Sequence, residues 1–175
     1  MQQAILNQLN KQNAFQFYQL LVGHVSRNFL AYMFFFLAFF LFAQNYRIAI
    51  NNDVSLPGKV YLIHYGERPD INDFVVFKKK APYLPNGHTL VKILAGKPGD
   101  DISVQDRDVY LNGTFMGHAK PKTRLGNPLT PVVETTVPDG KFYVAGTHKD
   151  SYDSRYIEFG FLDPLAIEGT AYALF

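Results

Sequence analysis

Residues 29–43 read Phe-Leu-Ala-Tyr-Met-Phe-Phe-Phe-Leu-Ala-Phe-Phe-Leu-Phe-Ala, fifteen positions without a charge. A helix that is apolar all round must be buried in protein or in lipid. Fifteen helical residues reach about 22 Å, short of a hydrocarbon core of roughly 30 Å. Tyr46, Ile48, Ala49 and Ile50 extend the run, and a locally thinned bilayer covers the rest, so residues 29–50 are expected to be a transmembrane anchor. A cleaved leader is the rival, because the length suits an h-region. The 28 residues in front of the run, and Leu41-Phe42-Ala43 as a poor small-x-small site, favour a retained span. Residues 1–28 begin Gln/Asn-rich and continue with Phe15, Phe17, Tyr18, Leu20, Leu21, Val22 and Val25. They predict a cytoplasmic or interfacial helix. Lys11 and Arg27 before the span nearly balance Arg47 and Lys59 after it, so charge tilts the orientation only slightly toward a cytoplasmic N-terminus.

From Asn51 onward the pattern changes. Short β-branched and aromatic runs recur at 60–63, 74–77, 90–94, 108–111, 141–144 and 171–175, and each predicts a strand. Gly66, Pro69-Asp70, Pro85-Asn86-Gly87, Asn112-Gly113 and Pro138-Asp139-Gly140 supply the turns. Val109 to Phe115, with Asn112-Gly113 in the middle, is a hairpin signal. Residues 119–134, carrying Pro121, Pro128 and Pro131, predict a loop excursion. No three-turn helical period follows Ile50 and no repeat is visible. Residues 51–175 are therefore expected to form one mainly β domain.

The absence of cysteine removes disulfides, a thiolate nucleophile and thiolate metal sites. Net charge is +2 and no Lys/Arg cluster exceeds Lys78-Lys79-Lys80, so nothing points to nucleic acid. Asp100, Asp101 and Asp106 match no metal-loop spacing and read as turn residues; neither metal nor cofactor is expected. In Leu90-Val91-Lys92-Ile93-Leu94-Ala95-Gly96-Lys97-Pro98-Gly99-Asp100, one lysine sits inside an apolar strand that ends in a turn. Lys92 either faces water on a half-buried strand or is desolvated, and a desolvated lysine can act as a general base. Without a thiol its partner would be a hydroxyl. Ser55, before the restricted backbone of Leu56-Pro57-Gly58, is one candidate among several, and a turn serine is the commoner role. His64, His88, His118 and His148 stay open as alternative activators.

Three separated segments resemble the type I signal peptidases. They are Asp53-Val54-Ser55-Leu56-Pro57-Gly58, Lys92-Ile93-Leu94-Ala95-Gly96-Lys97-Pro98-Gly99-Asp100, and Gly146-Thr147-His148-Lys149-Asp150-Ser151-Tyr152-Asp153-Ser154-Arg155. Asn72-Asp73-Phe74-Val75-Val76-Phe77 is similar to the family strand between nucleophile and base, so the resemblance covers about residues 51–160. Ser55-Leu56-Pro57 followed by Tyr61 is similar to the conjugative-transfer branch, the TraF-like peptidases that mature plasmid pilins.

The resemblance implies a signal-peptidase-like antiparallel β fold and a Ser–Lys dyad, with Ser55 as nucleophile and Lys92 as general base. It implies that Ser151 orients the lysine and that Asp153 and Arg155 brace the site as a charged pair. It implies a catalytic domain on the periplasmic side of a bacterial inner membrane, tethered to the bilayer. The implied partner is a membrane-inserted preprotein or prepilin, alongside conjugation or secretion machinery. The expected function is removal of a leader or C-terminal segment from a conjugative pilin or other secreted precursor, with cyclisation of the pilin as a variant outcome. Two departures stand out. Asp53 replaces a serine whose hydroxyl completes the oxyanion hole in many members, leaving the Ser55 N–H and another donor. Gly146-Thr147-His148-Lys149 replaces a Gly-Asp-Asn-Arg-like start and is one residue shorter. The alternatives are a general signal peptidase and a non-catalytic anchored β-domain of a secretion complex. A self-cleaving repressor fits less well, because the N-terminus carries an apolar span instead of a DNA-reading helix pair.

Overall fold

Successive side chains of a strand point to opposite faces, so Phe74-Val75-Val76-Phe77 needs apolar cover on both sides. The computed structural model describes residues 2–51, 55–84 and 87–175, with side chains described from residue 11 on. There this run lies inside a sheet, with Val75, Val76 and Phe77 fully buried. The strands are β1 (Tyr46–Ile50), β2 (Val60–Tyr65), β3 (Phe74–Lys78), β4 (Thr89–Gly96), β5 (Asp101–Gln105), β6 (Asp108–Leu111), β7 (Thr114–His118), β8 (Thr135–Thr136), β9 (Tyr143–Ala145) and β10 (Ile167–Ala173). A six-stranded sheet runs β1-β2-β10-β3-β4-β9 and a four-stranded sheet runs β7-β6-β5-β8. Every pairing in both is antiparallel, as the resemblance to the type I signal peptidases implied.

Each face of the larger sheet has its own core. Val75, Phe77, Leu94 and Tyr143 join Ile102, Val109 and Leu111 of the smaller sheet in one cluster. Val76, Tyr61, Ile63, Leu56 and Ala171 form the other, with Val91 and Ile93 packed on it. The β6–β7 hairpin turns at Asn112 (φ 48°) and Gly113 (φ 76°), the paired left-handed geometry that favours Asn-Gly. The excursion over 119–134 contains no regular strand before β8. The Arg107 side chain donates to the carbonyls of Lys120 and Leu129, each at 2.9 Å, and so pins its two arms together. Asn52, Asp53 and Val54, and Pro85-Asn86 of one expected turn, lie outside the described residues.

The chain divides into two units, Met1–Gln44 and Asn45–Phe175. The first holds α1 (Gln2–Arg27) and most of α2 (Phe29–Asn45). Lys11–Arg27 and Phe29–Asn45 are bent by 70° at Asn28, where His24 and Tyr32 share a 2.9 Å hydrogen bond across the bend. Among the described residues no single helix is long and apolar enough to cross a membrane, whereas the bent pair meets the length and apolarity together.

One expectation needs correction. Residues 46–50 do not extend the apolar helix, which stops at Asn45. Tyr46–Ile50 instead pairs with β2 from Tyr46 opposite His64 to Ile50 opposite Val60. Tyr46, Ile48 and Ile50 alternate with Arg47 and Ala49, a period of two. β-Branched residues at that spacing satisfy a strand better than a helix end.

Candidate active site

Lys92 sits mid-strand in β4, 4% exposed, directly opposite Val75 of β3. Alternation puts its side chain on the same face as Leu90 and Leu94. Val91 and Ile93 turn to the other face and pack in the second cluster. The flanking β-branched residues therefore stand on the far face of the strand, and the Lys92 side chain shares its own face with Leu90, Leu94 and the paired Val75. The Lys92 Nζ donates a 2.9 Å hydrogen bond to the Ser151 Oγ, and Ser151 is 2% exposed.

Ser55 is also buried, at 5% exposed. Its carbonyl accepts hydrogen bonds from the Thr147 N–H (2.9 Å) and the His148 N–H (3.3 Å), so the segment that carries Ser151 also holds the backbone of Ser55. Gly146 makes this approach feasible. A Cβ there would stand 2.1 Å from the Ser151 Oγ and 2.8 Å from the Ser55 carbonyl oxygen. Ser55 and Lys92 line one cavity of about 580 Å³ whose walls include Tyr61, Ile63 and Val91. The turn after Ser55 is braced from within: the Tyr61 hydroxyl donates to the Pro57 carbonyl. Gly58, at φ +97°, takes the left-handed backbone that the turn requires.

Asp153 and Arg155 are 0% and 1% exposed. Arg155 grips the carboxylate through Nε (2.8 Å) and Nη2 (2.9 Å) and donates from Nη2 to the Ser151 carbonyl (3.0 Å). The Gly146 N–H donates to the same carboxylate at 2.9 Å. Burial works against the guanidinium's charge, but the hydrogen bonds and charge of Asp153 outweigh it and push the group above the ordinary arginine value. The pair thus fastens both ends of the 146–151 segment. It acts on geometry, without lining the cavity that Ser55 and Lys92 share.

The histidines separate. His64 stacks on Tyr46 and meets Glu67 at 3.2 Å, and His118 pairs with Asp108 at 2.7 Å. His88 lines the cavity of Ser55 and Lys92. The His148 Nδ1 accepts the Asp150 N–H at 3.1 Å. Asp100 accepts the Lys97 N–H (2.7 Å) and the Asn112 amide (2.9 Å), as a turn residue does. Asp53 falls outside the described residues, so its relation to the oxyanion position belongs to the sequence alone. A second cavity, of about 370 Å³, touches Ser55 and Ser151 and is lined by Lys120, Lys122 and Arg124 of the excursion. Sequence reasoning missed these three. Three cations within five residues around Pro121 were the available signal.

Comparison with known proteins extends this picture. A model of the signal peptidase family, peptidase S26, matches residues 21–175. Signal peptidase I T of Bacillus subtilis is 34% identical over 112 residues, which cover 53% of this chain and 56% of that protein. A probable signal peptidase I-2 of Synechocystis is 32% identical over 114 residues, covering 61% of this chain and 48% of the relative. The chain spans about half the length of these curated relatives. A crystal structure of a signal peptidase I from Enterococcus faecalis is similar at 28% identity and a TM-score of 0.40, covering 59% of this chain and 97% of that one.

Proposed function

The chain belongs to the signal peptidase family, peptidase S26, and on that footing we propose that it is a serine endopeptidase with Ser55 as nucleophile and Lys92 as general base. The observation that carries this is the 2.9 Å bond from Lys92 Nζ to Ser151 Oγ inside a buried site whose cavity Ser55 shares. A lysine in water titrates near 10.4 and holds its proton at neutral pH; burial disfavours the ammonium and frees the lone pair. Ser151 fixes the direction of the amine.

Neutral Lys92 takes the Ser55 proton as the oxygen attacks the scissile carbonyl, forming a tetrahedral oxyanion. The resulting ammonium gives that proton to the leaving amine as the C–N bond breaks. Water, deprotonated by Lys92, then attacks the acyl carbonyl, and the ammonium returns that proton to the Ser55 Oγ as the ester C–O bond breaks. The Ser55 N–H is one donor to the oxyanion. β4 offers an extended substrate a strand to follow: β9 pairs with Ile93, Leu94 and Gly96 at its far end, and a peptide laid beside β4 reaches Ser55 with its main chain hydrogen-bonded.

The apolar helix α2 and the apolar latter part of α1 support tethering at the inner membrane, with the β unit in the periplasm and a membrane-inserted precursor as substrate. The finer assignment is a conjugative pilin, supported by Ser55-Leu56-Pro57 with Tyr61 bracing the turn. General signal peptidase activity is the second reading, favoured by the two curated relatives. Whole-cell mass spectrometry separates them. Loss of the protein leaves the pilin alone unprocessed in the first case, and many secreted precursors unprocessed in the second. A cyclised pilin is one water lighter than the trimmed linear chain. Unchanged processing of every precursor in cells carrying only Ser55→Ala or Lys92→Ala overturns the peptidase proposal.

A further inference from the structure

The cavity between the 119–134 excursion and the segment of Ser151 carries a chemistry that the Ser55–Lys92 pair does not explain. Lys120 and Lys122 lie two apart on one arm, Arg124 sits in the Thr123–Gly126 turn at its tip, and all three line the cavity. The arm is held in place. Arg107 clamps the Lys120 and Leu129 carbonyls, and the Lys120 N–H donates to the Tyr156 hydroxyl at 3.0 Å. Among the described residues Asp150 is the one acidic residue of the lining, and it is already taken. Lys120 bonds one of its oxygens and Arg124 lies 3.2 Å from the other. Lys122 has no carboxylate partner among the described residues. His148 adds no negative charge. The lining therefore carries a surplus of positive charge that nothing described in the protein neutralises.

Ser55 lines this basic cavity and also the apolar one that holds Lys92. A peptide that passes Ser55 with one flank in the apolar cavity brings its other flank to the basic one. We propose that the basic cavity is a subsite for a carboxylate carried by the substrate within a few residues of the scissile bond. That carboxylate is either an acidic side chain or the free end of a short tail. The proposal rests on Ser55 being the reacting residue and names what kind of substrate it acts on. Lysine and arginine bind a carboxylate through charge-assisted hydrogen bonds, and a concave setting raises the local field.

The test uses the full-length protein in detergent and four quenched peptides with the same small residues before the cut. One carries Asp-Glu after it. One carries Asn-Gln there, both this and the first continuing in a long neutral tail that ends in an amide. A third carries Asn-Gln with a free C-terminal carboxylate four residues on. The fourth is the third with that carboxylate amidated. The acidic or free-ended peptide should be cleaved about tenfold faster in kcat/KM than its neutral counterpart at low salt. That ratio should fall toward one above 0.5 M salt. It should collapse or invert in K122E/R124E and persist in K122R. Asp-Glu preference assigns a side chain, and preference for the free end assigns a tail.

Binding of the same peptides to Ser55→Ala, read by fluorescence anisotropy, separates the two ideas. If nothing is cleaved but the charge preference appears in binding and vanishes in K122E/R124E, the peptidase proposal falls and the subsite stands. Equal cleavage and equal binding of all four peptides overturn the subsite. So does a preference that K122E/R124E retains, or a charge-dependent capture of phosphatidylglycerol vesicles with no peptide preference.

Discussion

Gly146→Ala probes the construction of the site without replacing the proposed nucleophile or base. The added Cβ would meet the Ser151 Oγ at 2.1 Å, the Ser151 Cβ at 2.7 Å and the Ser55 carbonyl oxygen at 2.8 Å, where ordinary contact begins at 3.4 Å. A rotamer change in Ser151 relieves only the first. The second and third involve a Cβ and a backbone oxygen, so the 146–151 segment and the peptide of Ser55 must part, and the Lys92–Ser151 bond opens with them. Overpacking of this kind costs about 1–3 kcal/mol of stability, which a folded β domain can survive. Misplacement of reacting groups by about 1 Å costs on the order of a hundredfold in rate. The expected result is a variant that melts cooperatively by near-ultraviolet circular dichroism but has kcat/KM lowered about a hundredfold on a processed peptide. Wild-type kcat/KM in folded Gly146→Ala would refute the idea that this glycine sets the approach of Ser55 to Ser151.

Ser151→Ala should lower kcat by roughly a hundredfold and move the rising limb of the pH–rate profile, with Ser151→Thr recovering part of the loss; an unchanged profile would reduce Ser151 to a packing role. Asp153→Asn leaves the Arg155 charge buried without its counter-ion, and urea unfolding followed by tyrosine fluorescence should show a loss of about 3–5 kcal/mol. Asp150 is held below the ordinary carboxylate value by its hydrogen bond to Lys120. Its contribution is therefore present above the unfolded carboxylate value of about 4 and lost as pH falls through the folded one. Wild type should lose more Tm than Asp150→Asn on going from pH 5 to pH 3.

The sequence carried the β body because its strands announce themselves locally. Phe74 to Phe77 has no polar side to offer water, and Asn112-Gly113 takes the backbone geometry of a two-residue hairpin. β1 was hidden by its neighbour. Beside an uncharged apolar helix, Tyr46, Ile48 and Ile50 look like more of the same, and only the alternation with Arg47 and Ala49 separates them. Strand partners far along the chain are not encoded in any local pattern, so nothing near Lys92 in sequence says that Val75 lies opposite it. Ser55 could be singled out only through family resemblance, because a serine before Leu-Pro-Gly is an ordinary turn residue until the Thr147 and His148 amides are seen to hold its carbonyl. Lys120, Lys122 and Arg124 escaped notice because three cations in a proline-bearing loop read as solvated coil until Arg107 fixes the arm.

The central claim is that the Lys92 amine is neutral in the resting protein. Carbon-detected NMR titration of lysine-labelled protein, with Lys92→Arg to assign the signal, measures this directly. The Lys92 Cε resonance should titrate well below the ordinary lysine value of about 10.4, and the midpoint of the kcat/KM profile should coincide with it. A Lys92 that titrates at or above the ordinary value, in a protein that still cleaves at neutral pH, would contradict its role as the base.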